Sequence, residues 1–430
     1  MFNDKINMFS EELLFAAALQ IQEPLYVEKV EFLKDEGELH MYVDFRKGAR
    51  FRCSVCGTEG LSIHDTIEKT WRHLNFFQYK AFIHYRTPRT ECSEHGVHLV
   101  DVPWGGSNSG FTLLFEAFIL QLAKCMPISQ IAKLVDEHDT KLWRIVGKYV
   151  NAALKVADYS DMERVGLDET SSKKGHNYVT IFVDMDETKV VYVTEGKDAS
   201  TIAKFKEELP LHNCKPQQIT DISCDMSPAF KKGLANNFSW SNITFDKFHV
   251  IKLMNEALDK VRREEQKNDP ELKYTRYIWL YNAEKLSISK TRKLASLRNS
   301  NKKTAKAYQL KLNLQDIYKS ANNKVDAMIM LEKWYSWAVR CRLEPVKAFA
   351  KTMRNNWSGI LNYFDSNMTN ATLEGMNSIV QAARARARGY RNVNNFITII
   401  YLLAGKLNIN FQFYKQFYQN YGQPKLPLPT

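Results

Sequence analysis

The stretch from Arg164 to Gly196, RVGLDETSSKKGHNYVTIFVDMDETKVVYVTEG, leaves the chain few folds to choose from. Val165 and Leu167 alternate with their neighbours and lead into Asp168 and Glu169. A polar Ser-Ser-Lys-Lys-Gly turn follows, then Tyr178, Thr180, Phe182 and Asp184 mark a second β-rich run, and Lys189 to Thr194 a third. Turns this short join antiparallel strands, so the stretch predicts a three-strand meander with a carboxylate, Asp168, on its first strand.

After the meander the pattern predicts a helix over Ser200 to Leu209 and a strand over Gln218 to Cys224 that ends at Asp225. A helix from Ser227-Pro228, a short strand over Asn242 to Phe245, and a charged helix from Asp246-Lys-Phe-His249 to about Glu265 complete the series. Three antiparallel strands, then helix, strand, helix, strand, helix, is the order of a ribonuclease H-like mixed sheet. In that fold a carboxylate on the first strand faces one at the end of the fourth, and Asp168 and Asp225 hold those places. From about 266 to 365 the sequence is Lys- and Arg-rich and helical, too long for a loop and therefore an all-helical insertion. NMTNATLEGMNSIVQAAR then resumes with Leu373, Met376, Ile379, Val380 and Ala383 on an apolar helix face and Glu374, Asn377 and Gln381 on the other. Glu374, early on this helix, can return to the first-strand carboxylate. The closing NNFITIIYLLAGKLNINFQF reads as a core helix.

Three carboxylates from two strands and a helix make an oxygen-lined site suited to two Mg²⁺ or Mn²⁺ ions and to in-line displacement at a phosphodiester. Any one of these acids alone reads as a cap or a solvated charge; three at the expected places reverse that. Glu169, Asp221, Asp184 and Asp186 are local competitors, and alternation sets Glu169 on the opposite strand face from Asp168. His249 orients a water or phosphate, or hydrogen-bonds in the core. Trp334 and Trp337 read as core residues.

Nearer the N-terminus, VEKVEFLKDEGELHMYVDF predicts a hairpin, followed by an aromatic β-ribbon. Cys53-Ser-Val-Cys56-Gly57 and Cys92-Ser-Glu-His95-Gly96 flank that ribbon. A two-residue gap lets one turn aim two ligands at one ion, and the glycine eases the turn. The residues therefore predict a structural zinc site of three thiolates and one imidazole. His95 mirrors the first pair, and His64, His73, His84 and His98 are the other imidazoles in reach. Seven cysteines, with three of them in this cluster, fit metal binding in a reducing compartment rather than a disulfide framework.

Phe111 to Met126 reads as a helix, and ISQIAKLVDEHDTKLWRIVGKYV as two helices around Glu137-His138-Asp139. Ile131, Leu134 and Val135 would pack on Leu142, Ile145 and Val146 and leave Lys141, Arg144 and Lys148 outside. This is helix-turn-helix spacing, which an ordinary helical hairpin shares. The chain carries 60 Lys+Arg against 48 Asp+Glu, a formal net charge of +12, which favours a polyanionic partner such as nucleic acid. Arg384, Arg386, Arg388 and Arg391 around Gly389-Tyr390 suit phosphates. The N-terminus lacks a secretory pattern and the apolar runs are too short or too charged to span a bilayer, so a cytoplasmic protein, nucleoid-associated on DNA, is expected.

The zinc knuckles, VGLDETSSKKGHNYVT, DMSPAFKKG, FDKFHVIKLMNEALDKVRR and TNATLEGMNSIVQAARARARGYRN together resemble the insertion-sequence L-three family of bacterial transposases over nearly the whole chain. The resemblance implies a DDE transposase that binds terminal inverted repeats, cuts DNA and joins the freed 3′ end to a target duplex. It implies the triad Asp168, Asp225 and Glu374, with Asp246 and His249 as a D-x-x-H feature, and a homodimer or higher oligomer on double-stranded DNA. It also assigns the long Asp225 to Glu374 separation to the helical insertion. The expected division is a hairpin and zinc domain (1–105), a helix-turn-helix domain (106–160), a catalytic domain in two parts (161–265 and 366–430) and the insertion (266–365). A DNA-binding regulator without chemistry and a ribonuclease H-like nuclease are the competing readings; intact acids argue against the first and strand joining separates the second.

Overall fold

The computed structural model describes residues 10–106, 109–173, 177–281, 286–298, 302–366, 368 and 371–409. The chain divides into two compact units, Met1–Tyr149 and Val150–Asn408.

In the first unit, helix α1 (Glu11–Ala18) starts at Ser10, whose hydroxyl accepts from the Leu13 N–H. Strands β1 (Leu25–Leu33) and β2 (Glu38–Phe45) form the expected antiparallel hairpin. Strands β3 (Ile63–Arg72), β4 (Lys80–Cys92) and β5 (Gly96–Leu99) complete a sheet in which β4 lies parallel to β2 and antiparallel to β3 and β5. Strand periodicity sends Leu39, Met41 and Val43 inward from β2 to meet Trp71, Ile83, Tyr85 and Trp104 in one core. Helices α2 (Leu113–Cys125), α3 (Ile128–Val135) and α4 (Asp139–Lys155) follow. Thr112 caps α2, and Asp136, in the left-handed region with φ of 51°, makes the sharp exit from α3. Ile131, Val135, Leu142, Ile145 and Val146 are buried as expected, but Leu134 is 59% exposed. It lies three residues past Ile131 and one before Val135, just beyond the narrow buried stripe of a two-turn helix.

The second unit is built on a sheet of order β10-β9-β6-β7-β8. Strands β6 (Arg164–Ser171), β7 (Tyr178–Asp184) and β8 (Lys189–Glu195) are the antiparallel meander; part of the turn after Ser171 lies outside the described residues. Helix α5 (Ala199–Glu208) leads to β9 (Asp221–Cys224), α6 (Pro228–Asn237) to β10 (Asn242–Phe245), and β10 to α7 (Lys247–Glu265). β9 begins at Asp221, three residues later than expected, because Pro216, which has no N–H to give a ladder, starts a 3₁₀ turn over Pro216–Gln218. β9 pairs parallel with both β6 and β10.

Among the described residues six helices follow: α8 (Arg276–Leu280), α9 (Ile288–Arg298), α10 (Lys303–Ser320), α11 (Lys324–Val339), α12 (Glu344–Arg354) and α13 (Trp357–Ser366). Their buried residues, Trp334 at 1% exposure among them, belong to the same continuous core as Leu167, Ile222 and Phe245 of the sheet. Gly359 shows how close this packing is: a Cβ there would stand 2.5 Å from the Phe245 ring and 3.1 Å from the Ile243 carbonyl. Helices α14 (Ala371–Arg386) and α15 (Val393–Ala404) close the unit. The Tyr401 hydroxyl on α15 accepts the Val193 N–H of the outer strand β8 at 2.9 Å. Among the described residues no helix is long and apolar enough to cross a membrane.

Candidate active site and zinc site

Strand register brings the acids together. β6 and β9 place Gly166 opposite Ser223, and β9 and β10 place Cys224 opposite Phe245. Two residues beyond the first pair stand Asp168 and Asp225; one beyond the second stand Asp225 and Asp246. Neighbouring strands are about 4.8 Å apart, so three carboxylates form a row across three parallel strands. The Asp246 N–H donates to the Cys224 carbonyl at 3.0 Å, which carries the row past the last ladder position.

Helix α14 lies over β6 and runs in its direction. Leu373 packs on Gly166, where a Cβ would come within 3.0 Å of the Leu373 side chain. Asn377 donates to Asp168 Oδ2, Gln381 to the Thr170 hydroxyl, and Arg384 to the Ser171 carbonyl at 2.7 Å. Four helical residues rise about 6 Å and two strand residues about 6.7 Å, so every fourth residue of α14 meets every second residue of β6. Asn377 and Gln381 therefore face the sheet, not the outer surface expected from their polarity. Leu373, Met376, Val380 and Ala383 are buried as expected, whereas Ile379 is 44% exposed.

This placement sets Glu374 beside the row. Its carboxylate adds a repulsion that, after burial, raises the Asp246 pKa above its ordinary value. Burial likewise pushes Asp168 up to about 6, with the charges of Asp225, Glu169 and Asp246 adding to it and the Glu169 N–H opposing it. Asp168 feels the charges of Asp225 and Asp246, and Asp246 that of Glu374, a repulsion that a cation would relieve, and carboxylate oxygens suit a hard divalent ion. Asp246 also caps α7: its side chain accepts from the Phe248 N–H at 3.1 Å and the His249 N–H at 3.2 Å. His249 is half-buried on the first turn, and its ring is close enough to lower the Asp246 pKa.

Among the competitors, Asp184 accepts from the Asp186 and Glu187 N–H groups in the β7–β8 turn, Asp186 pairs with Arg164, and Asp221 accepts from the Thr220 hydroxyl. Glu169 is half-buried and its pKa is raised, by burial first, with Asp225 adding to the rise and Lys197 and Lys252 opposing it.

In the first unit, one ligand atom each from Cys53, Cys56, Cys92 and His95 all lie within 4.8 Å of one another. Cys56 Sγ stands 3.8 Å from Cys92 Sγ, and Cys92 Sγ 3.6 Å from His95 Nδ1. A zinc tetrahedron with Zn–S of ~2.3 Å and Zn–N of ~2.05 Å requires about 3.8 and 3.6 Å for those two edges. Gly57 and Gly96 take φ of 77° and 75°, the left-handed turn that each knuckle needs. Hydrogen bonds from Thr58 are the main cause of a Cys56 thiol lowered to about 6, which favours the thiolate a metal requires.

The ISL3 transposase family, described as "Transposase", matches residues 165–400, more than half of the chain. The chain belongs to the ISL3 transposase family. Residues 100–150 match the helix-turn-helix domain of transposase family ISL3, and 49–95 the zinc-finger of transposase IS204/IS1001/IS1096/IS1165. The chain is 26% identical to the transposase for insertion sequence element IS1557 of Mycobacterium tuberculosis, over 91% of this chain and 95% of that protein. It is 24% identical to the transposase for insertion sequence element IS1001 of Bordetella parapertussis, over 86% and 93% of the two.

The helix-turn-helix of this ISL3 member holds its cations unevenly. Lys141 pairs with Glu137 at 2.8 Å, and Lys148 with the buried Glu116 at 3.2 Å, where the Tyr149 and Ser109 hydroxyls also donate. Arg144 is exposed. Past α14, Arg388 takes φ of 57° and Gly389 of 90°, ending the helix, and Arg386, Arg388 and Arg391 are exposed. Sequence reasoning missed Asn377, Gln381, Glu116 and Gly166. The one signal available was the i, i+4 spacing of Leu373, Asn377 and Gln381, which matches the i, i+2 spacing of Gly166, Asp168 and Thr170.

Proposed function

We propose that this ISL3 transposase binds the terminal inverted repeats of a bacterial insertion sequence, cleaves DNA there and joins the freed 3′ hydroxyl to a target duplex. What supports the reading is the strand register that sets Asp168, Asp225 and Asp246 in a row, and a helix in step with β6 that brings Glu374 within electrostatic reach of Asp246. The strand order, an antiparallel meander extended by two parallel strands, supports a ribonuclease H-like reading in which α8 to α13 are the helical insertion. Asp168, Asp225 and Glu374 would hold two Mg²⁺ or Mn²⁺ ions. Those ions supply activation of the attacking oxygen and stabilisation of the leaving oxygen when bound. Asp246 and Asn377 orient the set, Asp246 by fixing the start of α7 and Asn377 by directing one Asp168 oxygen. His249, half-buried on the first turn of α7, would orient a water or the scissile phosphate.

Zinc held by Cys53, Cys56, Cys92 and His95 is structural, since all four ligands are protein groups. Lys141, Arg144 and Lys148 of α4 and the arginines after α14 supply phosphate contacts, and two copies act on paired ends. The test incubates purified protein with Mn²⁺, a labelled duplex ending in the element's own repeat, and a supercoiled plasmid. Covalent joining of label to plasmid, absent with Asp225→Asn, is expected. Hydrolysis without joining would favour the nuclease, and specific binding with neither reaction the regulator.

A further inference from the structure

A cleft of about 780 Å³ runs along α7 between α8 and α10, starting at Lys247, the residue after Asp246. Six basic side chains line it, Lys247, Lys252, Lys260, Arg263, Arg276 and Lys319, against two acids, Glu256 and Asp259. Asp259 is 8% exposed and is already engaged with Arg263 at 3.3 Å and Arg276 at 3.6 Å, so it fixes two of the cations in place. Lys260 and Lys319 make no ion pair among the described residues. Lys252, Asn255, Asp259 and Arg263 recur at helical spacing, so one face of α7 lines the cleft. From Phe248 to Arg263 that face is about 22 Å long, enough to follow several phosphates.

The lining includes two polar atoms without partners. Asn255 Oδ1 and the Tyr318 hydroxyl are both buried, both unpaired and both at this cleft. At the other end Phe248, two residues from Asp246, leaves 46% of its surface exposed, with the Lys247 ammonium 5.4 Å from its ring centre. An exposed ring face with cations in line suits a strand whose bases are unstacked and unpaired. A duplex has already committed its ring faces and Watson–Crick groups.

We infer that this cleft takes an unpaired segment of DNA next to the scissile phosphate, its backbone along Lys252, Lys260 and Lys319 and a base on Phe248. The inference rests on the proposed function for the identity of the acid row, and it adds that the DNA is opened where it is cut. The cleft adjoins the acids in the chain, since Lys247 and Phe248 of its lining directly follow Asp246, and Lys252 acts electrostatically on Glu169 beside Asp168.

The test uses the full chain, zinc-loaded, with a labelled oligothymidine and a labelled blunt duplex of equal length. The oligothymidine also carries 5-iododeoxyuridine for photocrosslinking. Phe248→Ala is expected to weaken oligothymidine binding by roughly fivefold to a hundredfold, with Phe248→Trp restoring it. The pair Lys260→Ala and Lys319→Ala is expected to reduce the salt slope for the single strand by about 1.4, two charges at about 0.7 each. Crosslinks are expected within 247–263, and duplex binding should be unchanged in all variants of unaltered melting temperature. Unchanged single-strand affinity and slope, crosslinks confined to 10–149, or equal losses for duplex and single strand would each overturn the inference. Failure of the wild-type protein to cut or join DNA would overturn the proposed function while leaving this binding result standing.

Discussion

Asp168 is held at a cost in stability, and replacing it should make the protein more stable and inactive. Its carboxyl has an ordinary pKa of 3.8 and is pushed up to about 6 in the fold, first by burial and then by its acidic neighbours. Between those values the folded chain holds a proton that the unfolded chain has released. Stability therefore falls as pH rises through that window and stays lowered above it. The difference of roughly two pKa units corresponds to about 3 kcal/mol at neutral pH. Asp168→Asn removes the charge and keeps the shape. Its amide oxygen can still accept the Glu169 N–H, and Asn377 can turn its own oxygen toward the new NH₂. For a unit of this size the gain should raise the melting temperature by about 6–12 °C at pH 7 and by little at pH 4. Scanning calorimetry across that range, in buffer free of added divalent ions, reads it directly. Millimolar Mg²⁺ should then raise the wild-type value and leave the variant unmoved. A variant less stable than wild type at pH 7, or a gain that persists at pH 4, would refute the reasoning.

Three further outcomes are expected. Gly166→Ala sets a Cβ 2.5 Å from Met185 Sδ and 3.0 Å from Leu373, so α14 must lift from β6; DNA joining should fall more than tenfold for a stability loss of about 1–3 kcal/mol, measured by strand transfer and melting. Cys56→Ser should release zinc to a colorimetric chelator and abolish duplex binding by the N-terminal unit, while the transition of Val150–Asn408 persists in calorimetry. Arg386→Ala with Arg388→Ala should reduce the salt slope for duplex DNA by about 1.8, two contacts at about 0.9 each, in anisotropy titrations; an unchanged slope would remove these arginines from the phosphate contacts.

Much of this architecture can be read from residue patterns. The meander was legible because short polar turns leave three β-rich runs no partner nearer than each other, and the zinc knuckles because ligand spacing is a local property. α14 shows where such reading stops. Its apolar residues identify a helix, yet a helical wheel sends every polar residue to solvent, and Asn377 and Gln381 are polar because they meet Asp168 and Thr170. Only the matched rise of helix and strand reveals that face, and it depends on tertiary placement. Lys148 shows the same limit from the other side: the buried Glu116 that pairs with it lies 32 positions earlier, and nothing local to α4 announces that partner. The helices from α8 to α13 are recognisable as helices, but nothing local says that they complete the core of the sheet instead of forming their own.

The claim on which the rest depends is that Asp168, Asp225 and Glu374 act as one divalent-cation site. Titrating the zinc-loaded protein with Mn²⁺ and counting free ion by electron paramagnetic resonance measures this without DNA. Wild type should show a saturable class of bound Mn²⁺, weakened in Glu374→Gln by more than about tenfold, the loss that follows from disturbing even an outer partner of a metal ligand. Equal Mn²⁺ affinity and stoichiometry in the two proteins would contradict a shared site.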